Sequence, residues 1–271
     1  MLNKEHTELL KTLQMSAGKT IQDWLYFFED LQMGYSKREK KLTFFKRIHV
    51  VLVLLFVVLL LGDTNLISNG NHLKIALTGT FAIWIWTRVE MARNKLVSTK
   101  SPYFFIQIND FVVPLLNVLA KDVKQNTIIN LQLDLRDPLW TSEFKKSTYK
   151  HNGWDVSFHS LIALKLRAMF EGKIVLDFIV SDKFKKLEKT KQSASGRTKR
   201  KNKFKGKVSY IAKVAFPKEK FSSTEQLAEK KDRVVKVSKS LQINSQDKYY
   251  YQTKKACEAI ADAFAGMTKV A

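Results

Sequence analysis

The sequence has a single cysteine, Cys257, which excludes an intramolecular disulfide framework and any multi-cysteine metal site. Four prolines and ten glycines are too few for collagen-like, elastic or proline-rich low-complexity classes. Acidic residues are scarce relative to basic ones, 25 against 47, and the net charge is +22. That imbalance points to anionic partners, nucleic acid or an anionic membrane leaflet. None of the five histidines, His6, His49, His72, His151 and His159, stands in a metal-ligand spacing. Nucleophile elbows and dinucleotide glycine motifs are missing, so no cofactor and no catalytic residue is assigned, and the expectation is a non-enzyme. Ala17-Gly18-Lys19-Thr20 resembles the end of a phosphate loop, but Leu13 occupies the place of the required first glycine.

What the chain does have is segregated. Val50 to Leu61 are twelve consecutive large apolar residues, and Ile75 to Thr87 is a second uncharged stretch. Each is short against the roughly 20 residues needed to cross a bilayer core. The first extends to Leu42 if Lys46 and Arg47 snorkel, and the second starts near Leu66. Glycine, asparagine and serine between them predict a tight polar turn and a transmembrane helical hairpin over 42–88. Basic residues before Val50 and after Thr87 place both termini on the cytoplasmic side of a bacterial-type inner membrane. Phe44, Phe45, Trp84 and Trp86 would form an aromatic belt at one headgroup level. Ala76, Gly79 and Thr80 supply small residues for close helix approach in a homo-oligomer. No small-residue cleavage site follows the first run, which argues against a cleaved leader.

Residues 1–41 read as an amphipathic helical segment. A short helix is expected over Lys4 to Met15. A second carries Ile21, Trp24, Leu25, Phe28 and Leu31 on one face, opens on a Thr20–Asp23 capping box and stops at Gly34. Its polar face is acidic, so it packs on protein rather than on anionic lipid.

Residues 89–271 read as a basic cytosolic α+β domain. A helix over 106–123 is broken or kinked at Pro114. Alternation then predicts strands around Ile129–Leu135, 154–170, 174–180, 204–216 and 235–243. Glu171-Gly172 serves as a hairpin turn, and a bend or bulge lies near Ser160. A helix from about Asp247 closes the chain with Ala256, Cys257, Ile260, Ala261 and Phe264 on one face. The expected fold is therefore an α+β membrane protein: amphipathic helices, a transmembrane hairpin, then an antiparallel sheet or partial β-barrel flanked by helices.

Half of the net charge sits in one arm, residues 183–207. It contains Lys183, Lys185, Lys186, Lys189, Lys191, Arg197, Lys199, Arg200, Lys201, Lys203, Lys205 and Lys207 against Glu188 alone. Its middle, 192–196, has the composition of a mobile linker. This arm is the candidate anion-binding site. Anionic lipid of the inner leaflet or an acidic patch on a cytosolic protein partner ranks first, and nucleic acid second. Only Phe184 and Phe204 lie near the run, and no stacking platform is visible. Three function classes follow. The first is an oligomeric membrane protein binding an anionic partner or signal, a pore-type effector or assembly component included. Its order of parts is similar to that of bacterial defence effectors, a likeness without a shared motif. The second is a membrane tether for nucleic acid or an acidic protein. The third is a membrane-bound enzyme on lipid or nucleotide substrates.

Overall fold

The computed structural model describes residues 3–61, 81, 83–89, 102–139, 141–192, 196–217, 221–223, 232–244 and 251–269. It divides into two compact units, Met1–Lys11 with Glu29–Ser101, and Thr12–Phe28 with Pro102–Ala271.

In the first unit, helix α1 (Lys4–Thr12) begins the chain, and most of helix α2 (Ile21–Leu61) follows. Among the described residues no helix is long and apolar enough to cross a membrane. The expected integral membrane fold and its transmembrane hairpin over 42–88 are therefore corrected to a mixed α/β fold in which no described helix meets that requirement. Residues 42–61 are the last part of one 41-residue helix. Its uninterrupted apolar run covers only 50–61, and Lys46 and Arg47 stand directly before it. The likeness to two-span effectors falls with the hairpin. Phe45 meets Trp86 edge to face at 5.3 Å and His49 stacks on Trp84 at 5.9 Å, so residues expected in a headgroup belt pack on one another. Gly34 does not end α2, because one glycine costs only about 1 kcal/mol in a helix this long. Ala76, Gly79 and Thr80 lie outside the described residues.

The second unit is built on a seven-stranded antiparallel sheet. Its strands are β1 (Gln14–Thr20), β2 (Ile128–Asp134), β3 (Lys145–His151), β4 (Trp154–Phe170), β5 (Ile174–Gln192), β6 (Thr198–Pro217) and β8 (Asp232–Asn244). They run in the order β1-β2-β4-β5-β6-β8, and β3 shares with β2 the free edge of the long β4. A small second sheet pairs β7 (Phe221–Ser223) with β9 (Met267–Lys269).

One face of the large sheet is covered. Helix α3 (Pro102–Gln107), a π-turn over Ile108–Val112 and helix α4 (Val113–Leu119) bring Phe104, Phe111, Leu115 and Leu116 into the core. The π-turn precedes Pro114, and the Asp110 carbonyl that proline cannot serve accepts from the Thr253 hydroxyl at 2.8 Å, so the expected break appears as a local widening. Helix α5 (Thr253–Ala265) buries Ala256, Ala259, Ile260 and Ala263. Start of α2 and sheet are joined by Trp24, fully buried, whose indole N–H donates to the Ile129 carbonyl at 3.1 Å. The capping box expected at its N-terminus forms, with the Asp23 N–H donating to Thr20 Oγ1 at 3.2 Å. Tyr210, Tyr251 and Asp182 form a buried polar core: Tyr251 donates to Asp182 at 2.7 Å, and Tyr210 accepts from the Gln252 N–H at 2.8 Å. Burial pushes the Tyr210 hydroxyl up to about 12.

Pairing of β5 with β6 runs without a bulge from Val175–Ala215 to Gln192–Thr198. Even-numbered residues of both strands face the core: Leu176, Phe178, Val180 and Phe184 against Val208, Tyr210, Ala212 and Val214. At its outer end the core closes on Phe184, whose ring lies where a Cβ of Gly206 would stand. Gly206→Ala therefore overpacks a site with no room to yield, and we expect a loss of about 1–3 kcal/mol. Urea denaturation measures it. An unchanged midpoint would show that Phe184 is not held there.

Candidate polyanion-binding face

The alternation that buries the even residues of β5 and β6 sends the odd ones to the opposite face, which no described element of this unit covers. There Lys183 stands across from Lys207, Lys185 from Lys205, Lys189 from Lys201 and Lys191 from Lys199, while Leu187 faces Lys203. Nine of the twelve basic residues in the candidate site thus share one face of one ribbon. The arm is paired strand to Gln192 and from Thr198, and of the linker expected over 192–196, residues 193–195 lie outside the described residues. Beyond Glu188 on one side and Lys205 on the other, β5 and β6 have no described outer partner and continue as a pair of strands. Among the described residues, no acidic side chain forms a salt bridge with any of the nine.

The remaining basic residues are placed differently. Lys186 lies on the core face, buried, with its ammonium 3.1 Å from Glu188 and donating to the Leu139 carbonyl at 3.2 Å. Arg200 shares that face in register, opposite Thr190, and Arg197 belongs to the turn.

Beside the lysines the same face carries aromatic rings from a hairpin that alternation alone did not reveal. β3 and β4 are joined by Asn152-Gly153, both with positive φ, as a two-residue turn of the I′ type requires. β3 is exposed along its whole length, so it shows no alternation. β4 carries the expected bulge, between Ile162 and Leu164, where the side chains change face. Before it Ser157, His159 and Leu161 point inward. Phe158 and Ile162, which an unbroken alternation over 154–170 would bury, are exposed. Tyr149 (45% exposed) stacks on Phe158 (37% exposed) with ring centroids 6.0 Å apart. The Lys185 ammonium lies 6.0 Å from the Tyr149 ring and 5.8 Å from that of Phe158, and Lys189 lies 5.7 Å from Trp154. Nearer the hairpin turn at 171–173, the face becomes a cleft of about 440 Å³ lined by Asn130, Gln132, Lys165, Arg167, Asp177 and Lys213, among others. Arg167 and Asp177 pair there at 3.5 Å, both well exposed.

Arg136 binds Asp134 at 2.8 Å and Glu143 at 2.6 Å at the end of β2. Ser157 Oγ lies 2.9 Å from His159 Nε2, but both side chains are buried, and a nucleophile needs open access. Among the described residues no cluster of histidine, cysteine and carboxylate could hold a metal. No protein-family model, curated protein or solved structure matches this chain.

Burial holds the His159 imidazole below its usual range, with Lys186 and Lys145 adding to the effect and Pro138 and Glu188 opposing it. The unfolded chain therefore takes up the proton first, and this contribution to stability is full above about pH 6.5 and shrinks as pH falls. His159→Gln should flatten the fall in urea midpoint between about pH 7.5 and about pH 5.5. An equal fall in wild type and variant would contradict this assignment.

Proposed function

We propose that this protein binds a polyanion on the outer face of its sheet, with the odd-numbered lysines of β5 and β6 as the main contact. One observation carries the reading: four directly opposed Lys–Lys pairs without a described acidic partner. Like charges facing each other across a strand pair are destabilising, by up to about 1 kcal/mol each. A bound polyanion reverses the sign of that interaction. Lysine suits the task, because an ammonium on a flexible stem follows a chain of phosphates without demanding one geometry.

Two simpler explanations fit less well. Lysines on edge strands discourage sheet-to-sheet aggregation. Lys183 and Lys185, however, lie within the sheet, between Ser160 and Phe158 of β4 and Lys207 and Lys205 of β6. Solubility alone is served by mixed charge, and nine lysines gathered on one side of a strand pair are not needed for it.

Inorganic polyphosphate tests this reading, because it carries charge and no other recognisable feature. Lys183, Lys185, Lys205 and Lys207 replaced together by Gln should weaken its binding on the order of a hundredfold or more at low salt. That follows from roughly 1 kcal/mol for each basic residue near a dense anionic surface. Undiminished binding by the fourfold variant would contradict it.

A further inference from the structure

Charge explains the lysines, but not the rings beside them. Tyr149, Trp154 and Phe158 come from β3 and the start of β4, and the pairing sets them against the lysines. Ser147, Phe158, Lys185 and Lys205 form one row across four strands, and Tyr149, Val156, Leu187 and Lys203 form the next. Adjacent strands are about 4.8 Å apart, so Lys185 lies one strand from Phe158 and two from Tyr149. Exposed aromatic rings on a solvated strand gain little from burial. They offer flat surfaces on which another ring can stack.

We infer that the polyanion is a single-stranded nucleic acid, its bases stacked on Tyr149 and Phe158 and its phosphates held by the lysines of β5 and β6. This rests on the polyanion reading and narrows it. A single strand presents unpaired bases and phosphates together. A duplex hides its base faces, and polyphosphate or a lipid surface has none. In the free protein the Lys185 ammonium lies near both rings. On binding, the bases take the ring faces and Lys185 turns to a phosphate. Lys189, near Trp154 and donating to the Asn152 carbonyl at 3.3 Å, is placed for the same exchange one step along the ribbon. Ring stacking and phosphate contacts do not depend on base identity, so binding of this kind tolerates many sequences.

The test uses the full chain with five probes: oligo(dT) and oligo(rU) of about 20 nucleotides, a DNA duplex of equal length, inorganic polyphosphate, and phosphatidylserine vesicles. Tyr149→Leu and Phe158→Leu keep an apolar side chain at exposed positions, and unchanged urea midpoints confirm that both variants fold. Single strands should bind at least about tenfold tighter than the duplex. Each substitution should weaken single-strand binding roughly tenfold and leave polyphosphate binding unchanged. Comparing oligo(dT) with oligo(rU) identifies which sugar the face prefers. Equal binding of single strand and duplex, unaltered binding by both variants, or preferential binding of vesicles would overturn the inference. If polyphosphate still binds, the broader reading stands; if the wild type ignores polyphosphate as well, that reading fails too.

Discussion

The unbroken register between β5 and β6 is the constraint on which the rest of this structure depends. Two strands of 19 and 20 residues stay in phase along their paired length, so a side chain's parity decides its environment. Even positions supply Phe178, Val180, Phe184, Val208 and Tyr210 to the core, against which the helices pack. Odd positions collect lysine. A one-residue slip would exchange the two sets, placing ammonium groups in an apolar interior and Phe178 and Tyr210 in water. Phe184 against Gly206 fixes the phase at the outer end, because only a residue without a Cβ leaves room for the ring.

The same parity explains how the outer face acquires both charge and rings. β4 would carry Phe158 and Ile162 inward if its alternation were continuous. Its bulge between Ile162 and Leu164 reverses the faces, so the half of β4 paired with β3 shows Phe158 outside and buries Ser157 and His159. Burial lowers the proton affinity of His159, and the charge of Lys186 adds to the effect, so both causes follow from its location in the fold.

Much of the sheet was legible in the sequence, because period-two alternation is strong where one face is buried. β2, β4, β5, β6 and β8 announced themselves in this way, and so did the turn after Phe170, which has three residues where two were expected. β1 and β3 were not legible. β3 is solvated along its length, and β1 is short and small-residue-rich at the sheet edge, so neither carries a periodic signal. Asn152-Gly153 was the available clue to β3, since positive φ at both central residues is what that dipeptide tolerates best. The membrane-spanning reading failed for a related reason: a twelve-residue apolar run does not reveal the 41-residue helix to which it belongs. The basic arm was visible as composition. Its division into nine lysines on the outer face, Lys186 and Arg200 on the other and Arg197 in the turn, and the rings from β3 and β4, required the pairing.

The central claim is that placement on one face, rather than total charge, makes this protein bind polyanions. A charge-matched comparison tests it most directly. Lys183, Lys185 and Lys205 replaced by Gln remove three charges from the outer face, and Lys37, Lys40 and Lys41 replaced by Gln remove three exposed charges from α2. Affinity for a single-stranded oligonucleotide is then followed against salt concentration. The first variant should bind more weakly, and its log–log salt slope should become shallower by about 2, at roughly 0.7 for each phosphate no longer neutralised, while the second behaves as wild type. Equal weakening of both variants would contradict the claim, because binding would then follow net charge wherever it lies.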